Sequence, residues 1–167
     1  NSNMLQLTFP GTSSSTAGAF VNVYQDDSNA VANGDRLGGF LIGGALDNVH
    51  TLNNSAVVQA FASENWSSTA GGADLVFGTQ PNGTVTTANR VNRWKIANDG
   101  HLLPMANNSY NIGSDTLRVA DLYLTGSSLH LGASGAEAVV GYTASGLSID
   151  KNVLIGGTTS SSRTSNF

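Results

Sequence analysis

The chain contains no cysteine. Disulfides, thiolate metal sites and thiol nucleophiles are excluded with it. Charge is scarce too: only 11% of the 167 residues are acidic or basic, about half the usual share. The only local concentration of positive charge is Arg90, Arg93 and Lys95, and the net charge is −4. A nucleic acid is therefore not an expected partner. No apolar run approaches the roughly 18 residues of a spanning helix, and no signal-peptide pattern is present, so membrane insertion is not expected. The three histidines, His50, His101 and His130, show neither HxH nor HExxH spacing. A metal site within one chain is unsupported, and no cofactor is expected. No GxSxG nucleophile motif and no phosphate loop occurs.

What is abundant is glycine, at 20 residues, together with Ser, Thr, Asn and Ala. Such a composition borders on disorder, but a 40% hydrophobic share with alternating β-branched residues argues for folding. The physical solution is a β-structure with many tight turns, whose strands pair between chains. Four matches to the glycosylation sequon (at Asn53, Asn65, Asn82 and Asn107) are what chance gives in a chain rich in Asn, Ser and Thr.

Taken in order, strands are predicted over 3–9, 19–25, 34–45, 57–64, 73–80 and 90–97, with the last two pairing across the turn at Pro81-Asn82-Gly83-Thr84. The stretch 99–126 breaks its apolar residues into short bursts between Asx and Gly turn formers, leaving room for strands of about 3–6 residues. Very short strands follow at 128–131, 138–142, 147–149 and 152–155, then a low-complexity tail over 158–165. Four glycines, Gly38, Gly39, Gly43 and Gly44, crowd the 34–45 strand. Two accounts remain open for them: a bulged or bent strand, or backbone crowding of three copies around a common axis.

Three serial motifs carry a resemblance. Residues 99–126 present Asp99-Gly100-His101, Leu103-Pro104, Asn108, Tyr110, Ile112-Gly113-Ser114, Leu117-Arg118, Leu122-Tyr123 and Thr125-Gly126. Upstream stand Tyr24, Asp26, Asp27 and Gly34-Asp35-Arg36-Leu37-Gly38, with Gly44 beyond them, then Ala62 and Glu64-Asn65-Trp66-Ser67-Ser68-Thr69-Ala70. Between these blocks lie Leu75, Phe77, Thr79, Pro81, Gly83 and Thr84. In this order the motifs resemble bacteriophage tail fibre proteins, over about two thirds of the chain, of the type often followed by an intramolecular chaperone domain. Ser63, and Asn92-Arg93-Trp94, depart from the pattern.

The resemblance implies an all-β, short-stranded, partly interwoven homotrimeric fibre tip with β-sandwich-like and β-helical or shaft-like parts. It implies a globular part over 1–98 and a fibre-like part over 99–167. The implied function is non-enzymatic adhesion to a bacterial surface receptor, a polysaccharide or outer-membrane component, from the tail of the virion, with the rest of the fibre as a further partner. A chain that starts without Met is read as a fragment, and Phe167 as a possible maturation end after chaperone removal.

A sugar ring stacks on aromatic side chains and bonds to Asn and Asp. Tyr24, Asp26, Asp27, Asn65 and Trp66 are therefore the candidate receptor-binding residues, with burial as core anchors the competing reading for Trp66 and Trp94. Most acids sit in turns, where Asx turns explain them, and no pair is marked as a glycosidase dyad. A glycan-depolymerising tailspike fragment and a passive shaft are the alternatives.

Overall fold

The computed structural model describes residues 10–11, 15, 19–124, 129–143 and 146–150. The expected strands over 3–9 and 152–155, and the tail over 158–165, lie outside the described residues. The chain divides into two compact units, Asn1–Asn111 and Ile112–Phe167. Both are built of antiparallel strands, and no described helix is long and apolar enough to cross a membrane.

The first unit carries five strands: β1 (Arg36–Ala45), β2 (Leu52–Ala62), β3 (Ala73–Thr79), β4 (Val91–Ile96) and β5 (Leu102–Pro104). They pair in chain order, each with its predecessor, as one meandering sheet. Local chemistry explains the reversals. In the β1–β2 turn the Asp47 carboxylate accepts the N–H groups of Val49 and Thr51, both at 3.0 Å. These bonds, with the Thr51 backbone first, lower the Asp47 pKa. The β3–β4 connection contains Gly83 at φ +76° and a single 3₁₀ turn, Thr87–Asn89. The β4–β5 turn uses Gly100 at φ +88°, and the His101 N–H donates to Asp99 Oδ1 at 3.1 Å.

Several expectations change. Among the described residues, the strands of the first unit join consecutively in one sheet. β5 pairs with β4 at Trp94↔Pro104 and Ile96↔Leu102, so residues beyond 98 belong to the first sheet and the change of unit falls after Asn111. Residues 19–25, expected as a strand, form none and pair with no described strand. Beyond β5, residues 105–124 form turns and irregular chain, not the expected series of short strands. Local caps compete with pairing there: Ser114 Oγ accepts the Leu117 N–H at 3.0 Å, and the Ser114 N–H donates to the Leu117 carbonyl at 2.7 Å.

The glycines of β1 answer to the bulged-strand account. The register shifts between Arg36 and Gly38 and again between Ile42 and Gly43. A Cβ on Gly39 would lie 2.6 Å from the Val58 carbonyl oxygen, and one on Gly43 only 1.9 Å from that of Asn53. The crowding comes from the neighbouring strand of the same chain, and only Gly44 has open space around it.

The second unit holds β6 (Leu129–Leu131), β7 (Ala138–Thr143) and β8 (Gly146–Ile149) as an antiparallel three-stranded sheet. Each of these strands pairs antiparallel with the next, β6 with β7 and β7 with β8. His130 on β6 faces Glu137, Nδ1 to Oε1 at 3.9 Å.

Candidate functional site

Two regions collect groups able to recognise a polar ligand. The first is the pair of loops singled out by sequence. Tyr24 is 81% exposed. Asp26 and Asp27 each close an Asx turn: Oδ1 of Asp26 accepts the Ser28 N–H and Oδ1 of Asp27 the Asn29 N–H, both at 3.1 Å. Each carboxylate keeps its second oxygen for another donor.

Asn65 and Trp66 are bound more tightly into the chain. The Asn33 N–H donates to Asn65 Oδ1 at 2.8 Å, and the Trp66 N–H to the Val31 carbonyl at 2.8 Å. The Trp66 indole N–H donates to the Gly72 carbonyl at 3.0 Å, while Glu64 Oε1 accepts the Gly72 N–H at 2.7 Å. These bonds staple the β2–β3 loop shut and tie it to residues 31–33. Trp66 is half-buried, between the surface and core readings. Glu64 and Trp66 thus brace the loop, and the groups left for a ligand are the Asn65 amide nitrogen and the exposed edge of the indole.

The second region was not singled out by sequence. A cleft of about 510 Å³ opens beside Asn33 and Gly34 and is lined by Phe61, Ser63, Asp74, Asn92, Lys95, Asn98 and Met105. Lys95 Nζ bonds Asp74 Oδ2 at 2.7 Å, and the Asn98 N–H donates to Asp74 Oδ1 at 2.9 Å. The lysine hydrogen bond is the main reason that the Asp74 carboxyl titrates below the usual range. Gln59 Nε2 donates to Asn92 Oδ1 at 3.0 Å, leaving the Asn92 amide nitrogen as a donor. Ser63 Oγ is buried without a hydrogen-bond partner in the chain. Amide, hydroxyl, carboxylate and ammonium groups beside Phe61 and Met105 make a cleft suited to a polyhydroxylated ligand with apolar faces. Its lining comes from β2, β3, β4 and the loops around them, with no shared spacing, so no local motif could have revealed it.

Asn33 belongs to both regions, bonding Asn65 through its backbone and lining the cleft. Trp94 lies elsewhere: it is half-buried on β4, with its ring 6.2 Å from that of Tyr110. No group of three or more His, Asp or Glu side chains arranged to hold a metal ion occurs among the described residues.

No family model and no curated protein matches the chain. Solved structures do. The carboxy-terminal domain of the bacteriophage T5 L-shaped tail fibre is similar over 77% of this chain, with a TM-score of 0.60 and 24% identity. The structure of that domain with its intramolecular chaperone is similar over 78%, with a TM-score of 0.59 and 22% identity. The chain spans 48% and 34% of those two chains, respectively. The likeness is one of fold: this chain has the fold of a phage tail fibre domain.

Proposed function

We propose that the chain is a structural segment of a bacteriophage tail fibre, located in the virion tail, that attaches the particle to a bacterial surface receptor as a homotrimer. The observation that carries this reading is the fold likeness to the T5 tail fibre domain over 77% of the chain. The receptor is a surface glycan or an outer-membrane component carrying one. Tyr24, Asp26 and Asp27 present an exposed ring beside carboxylate oxygens. Asn65 and Trp66 provide a braced platform, and the Asn33–Asn92–Asn98 cleft adds amide donors. Each such contact is weak, and three identical sites acting together raise avidity by about 10²–10⁴-fold when the receptor array allows simultaneous engagement.

The function is adhesion without catalysis. The described carboxylates of the first unit are engaged as caps and ion pairs: Asp35 accepts the Ala32 N–H, Asp47 closes a turn, Glu64 braces a loop and Asp74 pairs with Lys95. The test is binding of the fluorescently labelled chain to a panel of bacterial strains, with Tyr24→Ala and Asn92→Ala variants beside it. Saturable binding to a subset of strains, weakened at least tenfold by a variant that keeps its fold, supports the adhesin. Absence of binding across the panel leaves a passive shaft, and release of reducing ends from capsule or lipopolysaccharide makes the chain a depolymerase.

A further inference from the structure

A glycine that follows Asn or Asp leaves its backbone nitrogen unhindered, because no Cβ stands beside it. That nitrogen can attack the side-chain carbonyl carbon of the preceding residue and close a five-membered imide. The sequence offers three such pairs: Asn33-Gly34, Asn82-Gly83 and Asp99-Gly100. All three lie at chain reversals, and all six residues are exposed. Each glycine has positive φ, at +89°, +76° and +88°. Exposure and turn conformation therefore do not separate the three pairs. Their hydrogen bonds do.

Gly34 donates its N–H to the Ala62 carbonyl at 2.9 Å, the bond that ties the entry to β1 onto the end of β2. Gly100 donates to the Ala97 carbonyl at 2.8 Å and closes the β4–β5 turn. Its neighbour Asp99 offers a carboxylate, a poorer electrophile than an amide, and that carboxylate already accepts the His101 N–H at 3.1 Å. The Gly83 N–H has no hydrogen-bond partner among the described residues, and neither has the Asn82 side-chain amide. The flanks of their turn are nonetheless fixed. Gln80 Nε2 donates to the Thr84 carbonyl, and Thr84 Oγ1 to the Pro81 carbonyl at 2.8 Å. Residues 82–83 thus project from a braced loop with both reacting groups idle.

We propose that Asn82 is a site of spontaneous modification in the folded chain, converting to aspartate and isoaspartate through the Gly83 nitrogen, while Asn33 is held against the same reaction by the Gly34–Ala62 bond. The Gly83 nitrogen gives its proton to solvent base and forms a bond to Asn82 Cγ. The Cγ–Nδ2 bond breaks, and ammonia leaves with a proton from water. Water then opens the imide at one of its two C–N bonds. Cleavage at Cγ returns an aspartate, and cleavage at the main-chain carbonyl leaves the chain running through Cγ as isoaspartate. No electrons are transferred, and water is the only co-reactant. Either product adds one negative charge to a net −4, and isoaspartate adds one methylene to the main chain of the β3–β4 turn. None of this breaks a hydrogen bond made on folding at Asn82 or Gly83. At Asn33 the Gly34–Ala62 bond must open first, and the reaction is slowed by that local equilibrium.

The test is incubation of the full chain in mildly alkaline buffer, folded and in guanidinium chloride, followed by tryptic mass spectrometry. Cleavage at Arg36, Arg90, Lys95 and Arg118 puts the three pairs on separate peptides, 1–36, 37–90 and 96–118. Fragment ions then locate the mass gain of amide-to-acid conversion. In the folded chain Asn82 is expected to convert about tenfold faster than Asn33, the factor that opening one hydrogen bond supplies. Unfolding is expected to bring the two rates together. Asn33 converting as fast as Asn82 in the folded chain overturns the assignment, as does an Asn82 that stays intact when folded and reacts only when unfolded. A difference that persists in guanidinium chloride overturns it too, because the cause then lies in the neighbouring residues and not in the fold.

Discussion

Gly43 shows at the scale of one residue how the edge of the sheet is built. Its missing side chain lets the Asn53 carbonyl pass where a Cβ would stand, 1.9 Å away, and backbone cannot yield as a flexible side chain can. Gly43→Ala is expected to cost about 3 kcal/mol, at the upper end of overpacking penalties, read as a fall in the denaturation midpoint. Gly44→Ala meets nothing within 4 Å, and is expected to stay within about 0.5 kcal/mol of wild type. Equal effects at both positions would refute the bulge account.

Asp74 supplies a pH test at the same scale. Its carboxyl pKa is lowered chiefly by the Lys95 hydrogen bond. A depressed folded-state pKa contributes stability that is fully present above the unfolded value of about 3.9 and is lost as pH falls through the folded value. Wild type is therefore expected to lose stability relative to Asp74→Asn as pH is lowered from about 5 to about 2. Parallel denaturation curves for the two proteins across that window would show that the pair contributes nothing.

At the scale of elements, the sheet is held by register more than by a core. Val57, Ala62, Val76 and Ala97 are the buried apolar side chains among the described residues. Peripheral clasps therefore matter. Tyr110 closes the chain after β5 onto β4, stacking near Trp94 and lying under the Arg93 guanidinium at 5.4 Å. Tyr110→Ala is expected to lose about 1–2 kcal/mol from these two contacts. It should also speed hydrogen exchange at Met105, whose N–H donates to the Arg93 carbonyl at 2.8 Å. Trp66→Phe keeps the ring area but removes the donor to the Gly72 carbonyl, and about 1 kcal/mol is expected to go with it. Exchange at the Ser67 N–H, bonded to Ala70, reports on that loop directly.

For the whole molecule, the response to salt tells which contacts hold the proposed homotrimer. Exposed ion pairs weaken as the Debye length shrinks from about 10 Å to about 3 Å between 0.1 and 1 M salt. A homotrimer held by apolar contacts should keep its molar mass over that range. Dissociation at high salt would place charged groups at the contact.

The sequence by itself determined the β class and the positions of the main strands. β1, β3 and β4 fall where β-branched and aromatic alternation ends at Gly, Asx and Pro, because that period and those turn residues act over a few neighbours, whereas β2 begins at Leu52, ahead of the expected 57, where Asn53-Asn54-Ser55 read as turn formers but pair with β1. It also determined which loops carry Tyr24, Asp27 and Trp66. Tertiary structure alone decided what those residues bond to, since the Trp66 indole finds Gly72 and Asn65 finds Asn33 across a closed loop. It decided that 19–25 forms no strand, with Val21 and Val23 beside Gly38 and Phe40, and that 105–124 turns instead of pairing, where local caps such as Ser114 Oγ on the Leu117 N–H take up backbone groups. It decided that the Gly39 and Gly43 positions are crowded from within one chain. The cleft around Asn92, Lys95 and Asp74 arises from the register of strands distant in sequence. Alternation within a strand says that two faces exist, and only the pairing of strands says which residues share one.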